Sequence, residues 1–407
     1  MPGRRLLHPD HDRRGAFMSA IDVARPAHMD SEELRMFEDS VSRFLAAHAG
    51  PDRTRHWREQ GFVDRDTWRA AGEAGLLGLS VPVEYGGAGV DFTFDAVIME
   101  QLGRHHALNF AIPLHNAVVA PYIVSYANEE QKRRWLPGVV TGETILAVAM
   151  SEPGAGSDLQ AMKTSARREG DHYVINGQKT FISNGAHASL IIVAAKTDPE
   201  AGARGLSLFA VETDEVEGFT RGRLLDKIGQ EGRDTAELFF SDMRVPVENR
   251  IGPEGGGFAM LMEKLPQERL VIAWQALAMM EAAIDHTIAY TAERRAFGRA
   301  VLDFQNSQFK LAECKTQATI ARVFLDHCTQ QLLAGTLDAA TASMAKYWIT
   351  EAQGKVIDEC LQLFGGYGYM TEYPIAEMYK DARVFRIYGG TSEIMKLLIA
   401  RSLRSDA

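Results

Sequence analysis

The spacing of apolar residues changes twice along this chain of 407 residues and divides it into three parts. In the first part, apolar residues recur three or four positions apart, which is typical of amphipathic helices. The first such stripe consists of Leu34, Phe37, Val41 and Leu45. Short β-prone runs make up the middle part, and the last part returns to the helical spacing. A chain of this length exceeds one compact core, so several domains are expected.

The middle part contains the most specific local signal. The β-prone runs 173–175 and 179–182 flank Asn176-Gly177, a dipeptide that predicts a β-hairpin turn between them. Further strands are predicted at 190–195, 206–211 and 236–240. Together these runs predict a small antiparallel sheet or barrel domain.

Two long apolar stripes in the last part predict helices that pack as a bundle. Their members are Trp274, Leu277, Met280, Ile284 and Ile288 in one helix, and Leu311, Cys314, Ala318, Ala321, Leu325, Cys328 and Leu332 in the next. A helix over 339–364 should end at Gly365-Gly366, and the last helix should begin near Thr391. The order predicts an α+β chain with a disordered tail (1–28), a helical domain (29–144), a β domain (145–254) and a second helical domain (255–407).

Composition narrows the class of protein. The net charge of −10 argues against nucleic-acid binding, and no apolar run is long enough to span a membrane. The three cysteines form no CxxC pair, which indicates a reducing compartment, and we expect a cytoplasmic location. The first residues lack the apolar core of a secretory signal, so a tail is expected, with Met18 and Met29 as alternative starts. No metal-binding motif is present.

A turn rich in small residues follows the apolar run 145–149. It is Met150-Ser151-Glu152-Pro153-Gly154-Ala155-Gly156-Ser157-Asp158. Its glycines allow backbone amides to approach a ligand closely, and its serines can donate or accept hydrogen bonds. Such a turn at the end of a strand can hold a phosphate or the polar edge of a cofactor, although the same composition also suits an ordinary turn.

With this turn, five motifs in order resemble the acyl-CoA dehydrogenase family. The other four are Asn176–Lys179 leading to Phe181–Gly185, Arg294–Gly298 with Gln305 after it, Gln362–Gly368, and Tyr388-Gly389-Gly390-Thr391-Ser392. Each motif alone is weak, but the set is specific. The resemblance covers residues 32–401, and from Leu265 onward the sequence is most similar to the long-chain branch.

The resemblance implies FAD as cofactor and a fold of N-terminal α-helical domain, middle antiparallel β domain and C-terminal four-helix bundle. It places Val148, Met150, Ser151, Gly156 and Ser157 along the flavin and the mouth of the acyl site, and Phe181, Ile182 and Ser183 against the isoalloxazine. It places Arg294, Phe297, Gln305, Gln362, Gly365 and Gly366 on the FAD of a neighbouring subunit, and Gly390, Thr391 and Ser392 on the adenosine diphosphate. A helix start and a permanently charged Arg suit phosphate groups.

Each of these assignments has a purely structural alternative. Phe181 could belong to the β core, and Arg294 could be part of a solvated charged face. Gly365-Gly366 could simply end a helix. The joint pattern, rather than any one residue, favours cofactor binding.

The family oxidises an acyl thioester to its 2,3-enoyl form, which requires a carboxylate to take the α-proton while the flavin accepts a hydride. Many members carry that Glu directly before Gly-Thr-Ser, where this chain has Gly389. Long-chain and isovaleryl types supply it from another helix, before Arg-Leu, and this implies Glu268 as the base. Ser157, Gln267, Arg269 and Gly389 are then expected at the substrate. Alternatively, Glu268 pairs with Arg269 or caps a helix after Pro266.

The resemblance implies dehydrogenation of a medium- to long-chain or branched acyl-CoA in fatty-acid β-oxidation, with electrons passed to an electron-transfer flavoprotein. It also implies a homo-oligomer, usually a tetramer built as a dimer of dimers. Three alternatives stay open: a flavin oxidase or monooxygenase on the same fold, a dehydrogenase of an acyl-carrier-protein thioester, and a non-catalytic binding subunit.

Overall fold

The computed structural model describes residues 20–214 and 216–404. The first part of the chain is helical, as predicted. Its helices are α1 (Glu32–His48), α2 (Pro51–Gln60), α3 (Arg65–Glu73), α4 (Phe92–Arg104), α5 (Ala120–Tyr126) and α6 (Glu129–Thr141), and a π-helix, Leu114–Val119, leads into α5. The Ser31 hydroxyl caps α1, and Asn128 forms a capping box with Gln131 at the start of α6. These caps fix where the two helices begin.

Residues 20–28 of the predicted tail are packed onto the protein. The backbone N–H of Ala20 donates to Asp285, and Arg25 forms ion pairs with Glu38 and Glu100. The prediction of a tail is therefore wrong for these residues, because the polar partners that hold them come from distant helices. The rest of the predicted tail lies outside the described residues.

The middle part forms one eight-stranded sheet. Its strands are β1 (Leu146–Ala149), β2 (Ser165–Glu169), β3 (His172–Ser183), β4 (Leu190–Lys196), β5 (Leu206–Glu212), β6 (Phe219–Leu224), β7 (Thr235–Pro246) and β8 (Arg250–Ile251). The order is β6-β7-β3-β2-β4-β5-β8, with β1 beside β4. The sheet is mixed rather than fully antiparallel, because β1 and β2 each pair with β4 in parallel.

Asn176-Gly177 does not form the predicted hairpin turn. The pair lies inside β3, opposite a β-bulge in β7, and the turn that joins β2 to β3 is Gly170-Asp171. The Asn176 side chain exchanges two hydrogen bonds with Asp242 at the bulge. A Cβ at Gly177 would lie 2.5 Å from Oγ1 of Thr164. Gly177 is therefore needed because β3 passes close to Thr164 at this point, and the dipeptide lies at a bulge instead of in a turn.

The last part of the chain is helical again, which confirms the predicted fold class. Its elements are α7 (Gly257–Glu293), β9 (Arg295–Ala296), β10 (Arg299–Ala300), α8 (Gln305–Leu333), α9 (Ala339–Phe364), α10 (Pro374–Ala382) and α11 (Ser392–Arg401). The helices α7, α8 and α9 pack on one another, and α11 packs on α9. The two predicted stripes are buried except for partly buried Ile288 and Leu332 at their ends.

One apolar core joins the two helical parts of the chain, with Trp57 and Trp68 on one side and Trp274 and Phe385 on the other. A second core joins α5, α6 and the start of α7 to one face of the sheet. The helix α7 belongs to both cores, so residues near its middle lie where the three parts meet. The three cysteines are buried and unpaired. No described helix is long and apolar enough to cross a membrane. The cytoplasmic location stays a prediction.

Candidate active site

Glu268 lies in the part of α7 where the cores meet and is only 7% exposed. The Tyr122 hydroxyl donates a hydrogen bond of 2.6 Å to its Oε1. Burial raises the pKa of Glu268 to about 7, although the bond from Tyr122 and the charge of Arg269 oppose this rise. Because α7 runs unbroken through Pro266, Glu268 caps no helix. A carboxyl whose pKa lies near neutrality is suited to act as a general base.

Gly389 packs against the face of α7 that carries Glu268. A Cβ on Gly389 would lie 2.2 Å from Cδ1 of Ile272, which is one helical turn after Glu268. Gly389 has φ of 61° and Gly390 has φ of 92°, so both adopt left-handed backbone that favours glycine. Lys346, a buried residue of α9, fixes this loop by donating a hydrogen bond of 2.6 Å to the carbonyl of Gly390. The loop and the carboxyl thus share one face of α7.

The substitution Gly389→Ala should destabilise the protein, because it strains the left-handed backbone by about 1–2 kcal/mol and also crowds Ile272. The crowded atom is the end of a side chain, so Ile272→Val removes it. We expect Gly389→Ala combined with Ile272→Val to be more stable than the sum of the single effects predicts, which a denaturant-unfolding cycle measures. Strictly additive effects would contradict this contact.

The two residues beside Glu268 point to protein groups rather than to open space. Nε2 of Gln267 donates a hydrogen bond of 2.8 Å to the carbonyl of Ala117 in the π-helix. Nη1 of Arg269 donates one of 3.3 Å to the carbonyl of Ala339, and no ion pair joins Arg269 to Glu268 among the described residues. Substrate contact by these two side chains stays a prediction, and Ser157 is exposed in its turn.

The turn 150–158 is attached to β3. Nζ of Lys179 donates to the carbonyl of Met150 and pairs with Oε1 of Glu152 at 2.9 Å, with both side chains buried. The N–H of Thr180 donates to the carbonyl of Ser151 at 3.0 Å. These bonds hold Ser151 against Thr180, the residue before Phe181, so the first two motifs are adjacent.

Phe181 is the prominent residue of these two motifs. It is 69% exposed and has φ of 60°, at a bulge in β3 itself. A large exposed aromatic residue held in left-handed backbone indicates a functional position rather than the β core. Ile182, in contrast, is buried within the sheet, and Ser183 is half-buried. Among the described atoms, Phe181 therefore offers the free ring surface of this motif.

A second group of predicted residues lines one groove of about 620 Å³. Its members include Arg294, Gln362, Gly365 and Gly366. The guanidinium of Arg294 lies 5.5 Å from the centre of the Tyr367 ring. Gly365 also ends α9, as the structural alternative predicts, and its contact with FAD stays a prediction.

Phe297 occupies the turn between β9 and β10. It is 97% exposed and has φ of 48°. Gln305 is the exposed first residue of α8. A fully exposed Phe at the tip of a hairpin suits contact with another molecule.

The third group surrounds the start of α11, as predicted. The Thr391 hydroxyl caps this helix by accepting from the N–H of Ile394. Ser392 is buried, and its hydroxyl donates to Oε1 of Glu351 at 2.7 Å, so it is engaged within the protein. The residues that the sequence did not indicate are Tyr122, Ile272 and Lys346. Their apolar or helical context resembles ordinary core, and nothing local distinguishes them.

Known families match each part of the chain. Models of the acyl-CoA dehydrogenase N-terminal, middle and C-terminal domains match residues 31–143, 147–243 and 255–404. The long-chain specific acyl-CoA dehydrogenase of Mus musculus mitochondria is 46% identical over 379 residues, which cover 93% of this chain and 88% of the relative. The isovaleryl-CoA dehydrogenase of Pongo abelii mitochondria is 37% identical over 380 residues, with 92% and 90% covered.

Solved structures are also similar. An acyl-CoA dehydrogenase from Geobacillus kaustophilus has a TM-score of 0.90 and 48% identity, with 92% of this chain and 98% of that chain covered. A chain solved in work on the electron transferring flavoprotein of Acidaminococcus fermentans has a TM-score of 0.88 and 34% identity, with 93% and 99% covered. A prolyl acyl carrier protein oxidase has a TM-score of 0.86 and 31% identity, with 92% and 99% covered. With all three domains matched, the chain belongs to the acyl-CoA dehydrogenase family and is of the FAD-dependent acyl-CoA dehydrogenase class that its motifs predict.

Proposed function

We propose that this enzyme dehydrogenates a medium- to long-chain acyl-CoA, straight or branched, to the 2-enoyl-CoA, with Glu268 as the base that removes the α-proton. The observation that carries the proposal is the buried carboxyl of Glu268 on the face of α7 that meets Gly389. In this position Glu268 replaces the carboxylate that Gly389 lacks. The relatives with long-chain and isovaleryl substrates support this class of thioester.

The carbonyl of the thioester must be polarised while negative charge develops on it. The N–H of Gly389 is the proposed donor, because the loop that carries it is fixed by Lys346 beside the base. We assign Lys346 to holding the loop because its Nζ donates to the carbonyl of Gly390, and burial lowers its pKa to about 8. The proton passes to Glu268, and the surrounding apolar core excludes water from the carboxyl.

The residues present fit FAD. The free ring of Phe181 suits an aromatic ring system, the start of α11 suits a phosphate, and Arg294 suits the pyrophosphate of a neighbouring subunit's cofactor. When bound, FAD supplies the acceptor for the hydride that leaves the β-carbon. Val148, Met150, Ser151, Gly156 and Ser157 are the further residues that we assign to its edge.

Two partner proposals follow from the same residues. The groove with Arg294 and the exposed Phe297 suit a second copy of this chain, which supports a homo-oligomer arranged as a dimer of dimers. Electrons then leave to an electron-transfer flavoprotein, since the sequence has no haem or iron–sulfur motif of its own.

The proposal is tested by mixing the FAD-loaded enzyme anaerobically with a panel of acyl-CoAs. We expect bleaching of the flavin absorbance with medium- and long-chain members, and a 2-enoyl-CoA product by mass spectrometry. The matching 2-enoyl-CoA serves as a control that should not bleach the flavin. No bleaching with any member of the panel would refute the proposed substrate class.

A second candidate has a specific observation behind it. The similarity to a prolyl acyl carrier protein oxidase suggests a flavin oxidase or an enzyme of carrier-protein thioesters. Equal rates with air as the sole acceptor and with an added dye acceptor, together with peroxide release, would favour the oxidase. Faster bleaching by an acyl carrier protein thioester than by the same acyl-CoA would favour the carrier protein.

A further inference from the structure

The two oxygens of the Glu268 carboxyl have different surroundings. Oε1 accepts the hydrogen bond of 2.6 Å from Tyr122. Oε2 accepts no hydrogen bond from any residue in 20–214 or 216–404. A buried carboxylate with a single donor is fixed at one oxygen and free at the other. The free oxygen is the one available to take a proton from a substrate.

Tyr122 is itself held firmly. Its side chain is fully buried and belongs to α5, which follows the π-helix directly. The bond from Gln267 to Ala117 ties that π-helix to α7, one residue before Glu268. Tyr122 and Glu268 therefore lie on two helical segments that the bond between Gln267 and Ala117 joins nearby. This link between the segments helps to keep the two side chains at hydrogen-bond distance. Burial raises the pKa of Tyr122 well above its usual value, and Tyr122 therefore stays a donor.

We infer that Tyr122 is the positioning residue of the active site, which holds Oε1 of Glu268 as a carboxylate and leaves Oε2 to remove the α-proton. This inference deepens the proposed function and rests on it. The Tyr122 hydroxyl donates its hydrogen bond to Glu268, so its proposed effect on the reaction acts through that carboxyl. No other polar side chain among the described residues is placed to do the same.

The inference has a definite effect on pH dependence. Two titratable or charged groups act directly on Glu268, namely Tyr122 on α5 and Arg269 on α7. Each has a further charged or titratable neighbour: Tyr126 lies beside Tyr122, and Lys346 of α9 acts on Arg269. Only Tyr122 gives the carboxylate a hydrogen bond within the described part of the chain. Because this bond stabilises the charged form, its loss should raise the pKa of Glu268 further. The base is then protonated over a wider range of pH.

The test is the substitution Tyr122→Phe in the FAD-loaded enzyme. A hydrogen bond to a charged group corresponds to about one to two pH units, so the acid limb of the kcat profile should move upward by that amount. Near pH 7, kcat should fall about five- to fiftyfold, and it should recover as the pH rises, with little change in KM. In thermal melts, the stability that protonated Glu268 contributes should be lost at higher pH in the variant than in the native enzyme, because the pKa of the folded state is higher.

Tyr126→Phe is the matched control, because Tyr126 lies one turn further on α5 and its ring centre is 6.3 Å from that of Tyr122. Its acid limb should not move. If Tyr122→Phe fails to fold or to hold FAD, an enzyme with 3-fluorotyrosine at position 122 is used in its place. Its hydroxyl is a stronger hydrogen-bond donor, so the acid limb of the kcat profile should move to lower pH. An unmoved acid limb in a folded Tyr122→Phe or fluorotyrosine enzyme overturns the inference. Activity retained by Glu268→Gln would instead overturn the proposed base, so the two failures are distinguishable.

Discussion

Replacing Glu268 by Gln should lower kcat by about 10²–10⁴-fold while FAD and acyl-CoA still bind, because the variant keeps the shape of the side chain and loses only its basicity. The amide oxygen can still accept the hydrogen bond from Tyr122, so the local packing is preserved. Steady-state turnover with a dye acceptor measures the loss, and ligand-induced changes in the flavin spectrum report binding.

Glu263→Gln is the control for this prediction. Glu263 lies on the same helix, and its side chain is 66% exposed, so the same change in charge should leave turnover almost unaltered. Near-normal dehydrogenation by Glu268→Gln would show that another acid removes the proton. Loss of bound flavin along with activity would show that Glu268 matters for structure instead.

Heat stability provides an independent check on the same variant. In the native enzyme the pKa of Glu268 is about 7, above its ordinary value of 4.5, so the folded state binds a proton more tightly than the unfolded state. The stability due to this group is complete below about pH 4.5 and is lost as the pH rises through about 7. The Glu268→Gln variant has no ionisable group at this position, so it does not lose this stability as the pH rises. Its melting temperature should therefore exceed that of the native enzyme most clearly near pH 8, and the difference should shrink near pH 5.

The contrast between Glu268 and Tyr122 shows what a sequence can predict at this site. Glu268 could be predicted as the base because Gly389 occupies a position where many family members carry Glu, and a second acid is therefore required. Tyr122 is 146 residues away from Glu268 along the chain. No local pattern links the two, and only packing of α5 on α7 brings them together.

The fold shows the same division between local and distant causes. The start of α11 at Thr391 and the end of α9 before Gly365 follow from caps within a few residues, and both were predictable. The predicted hairpin turn at Asn176-Gly177 was wrong because the role of this dipeptide depends on Thr164 and on the bulge of β7, which are distant in sequence. The groove around Arg294 likewise could be predicted only through the resemblance.

The buried pair of Lys179 and Glu152 connects the sheet to the surface that we propose for the cofactor. Their side chains are 0% and 6% exposed, and Glu152 also accepts hydrogen bonds from the N–H groups of Lys163 and Thr164. Lys179 itself lies two residues before Phe181 on β3. The pair therefore fixes the position of the 150–158 turn relative to the exposed ring. Burial lowers the pKa of Lys179 to about 8, which is the expected cost of enclosing a charge here.

Lys179→Met should destabilise the protein by about 3–5 kcal/mol and reduce the FAD that co-purifies, because it leaves the Glu152 charge buried without its partner. Lys163→Met is the control, since that exposed side chain is in the same domain and its loss should have little effect. Combining Lys179→Met with Glu152→Gln removes the orphaned charge and should restore part of the stability. Denaturant unfolding and flavin absorbance measure both effects. A Lys179→Met protein that is as stable as the native chain and fully loaded with FAD would show that the turn is held by its backbone bonds alone.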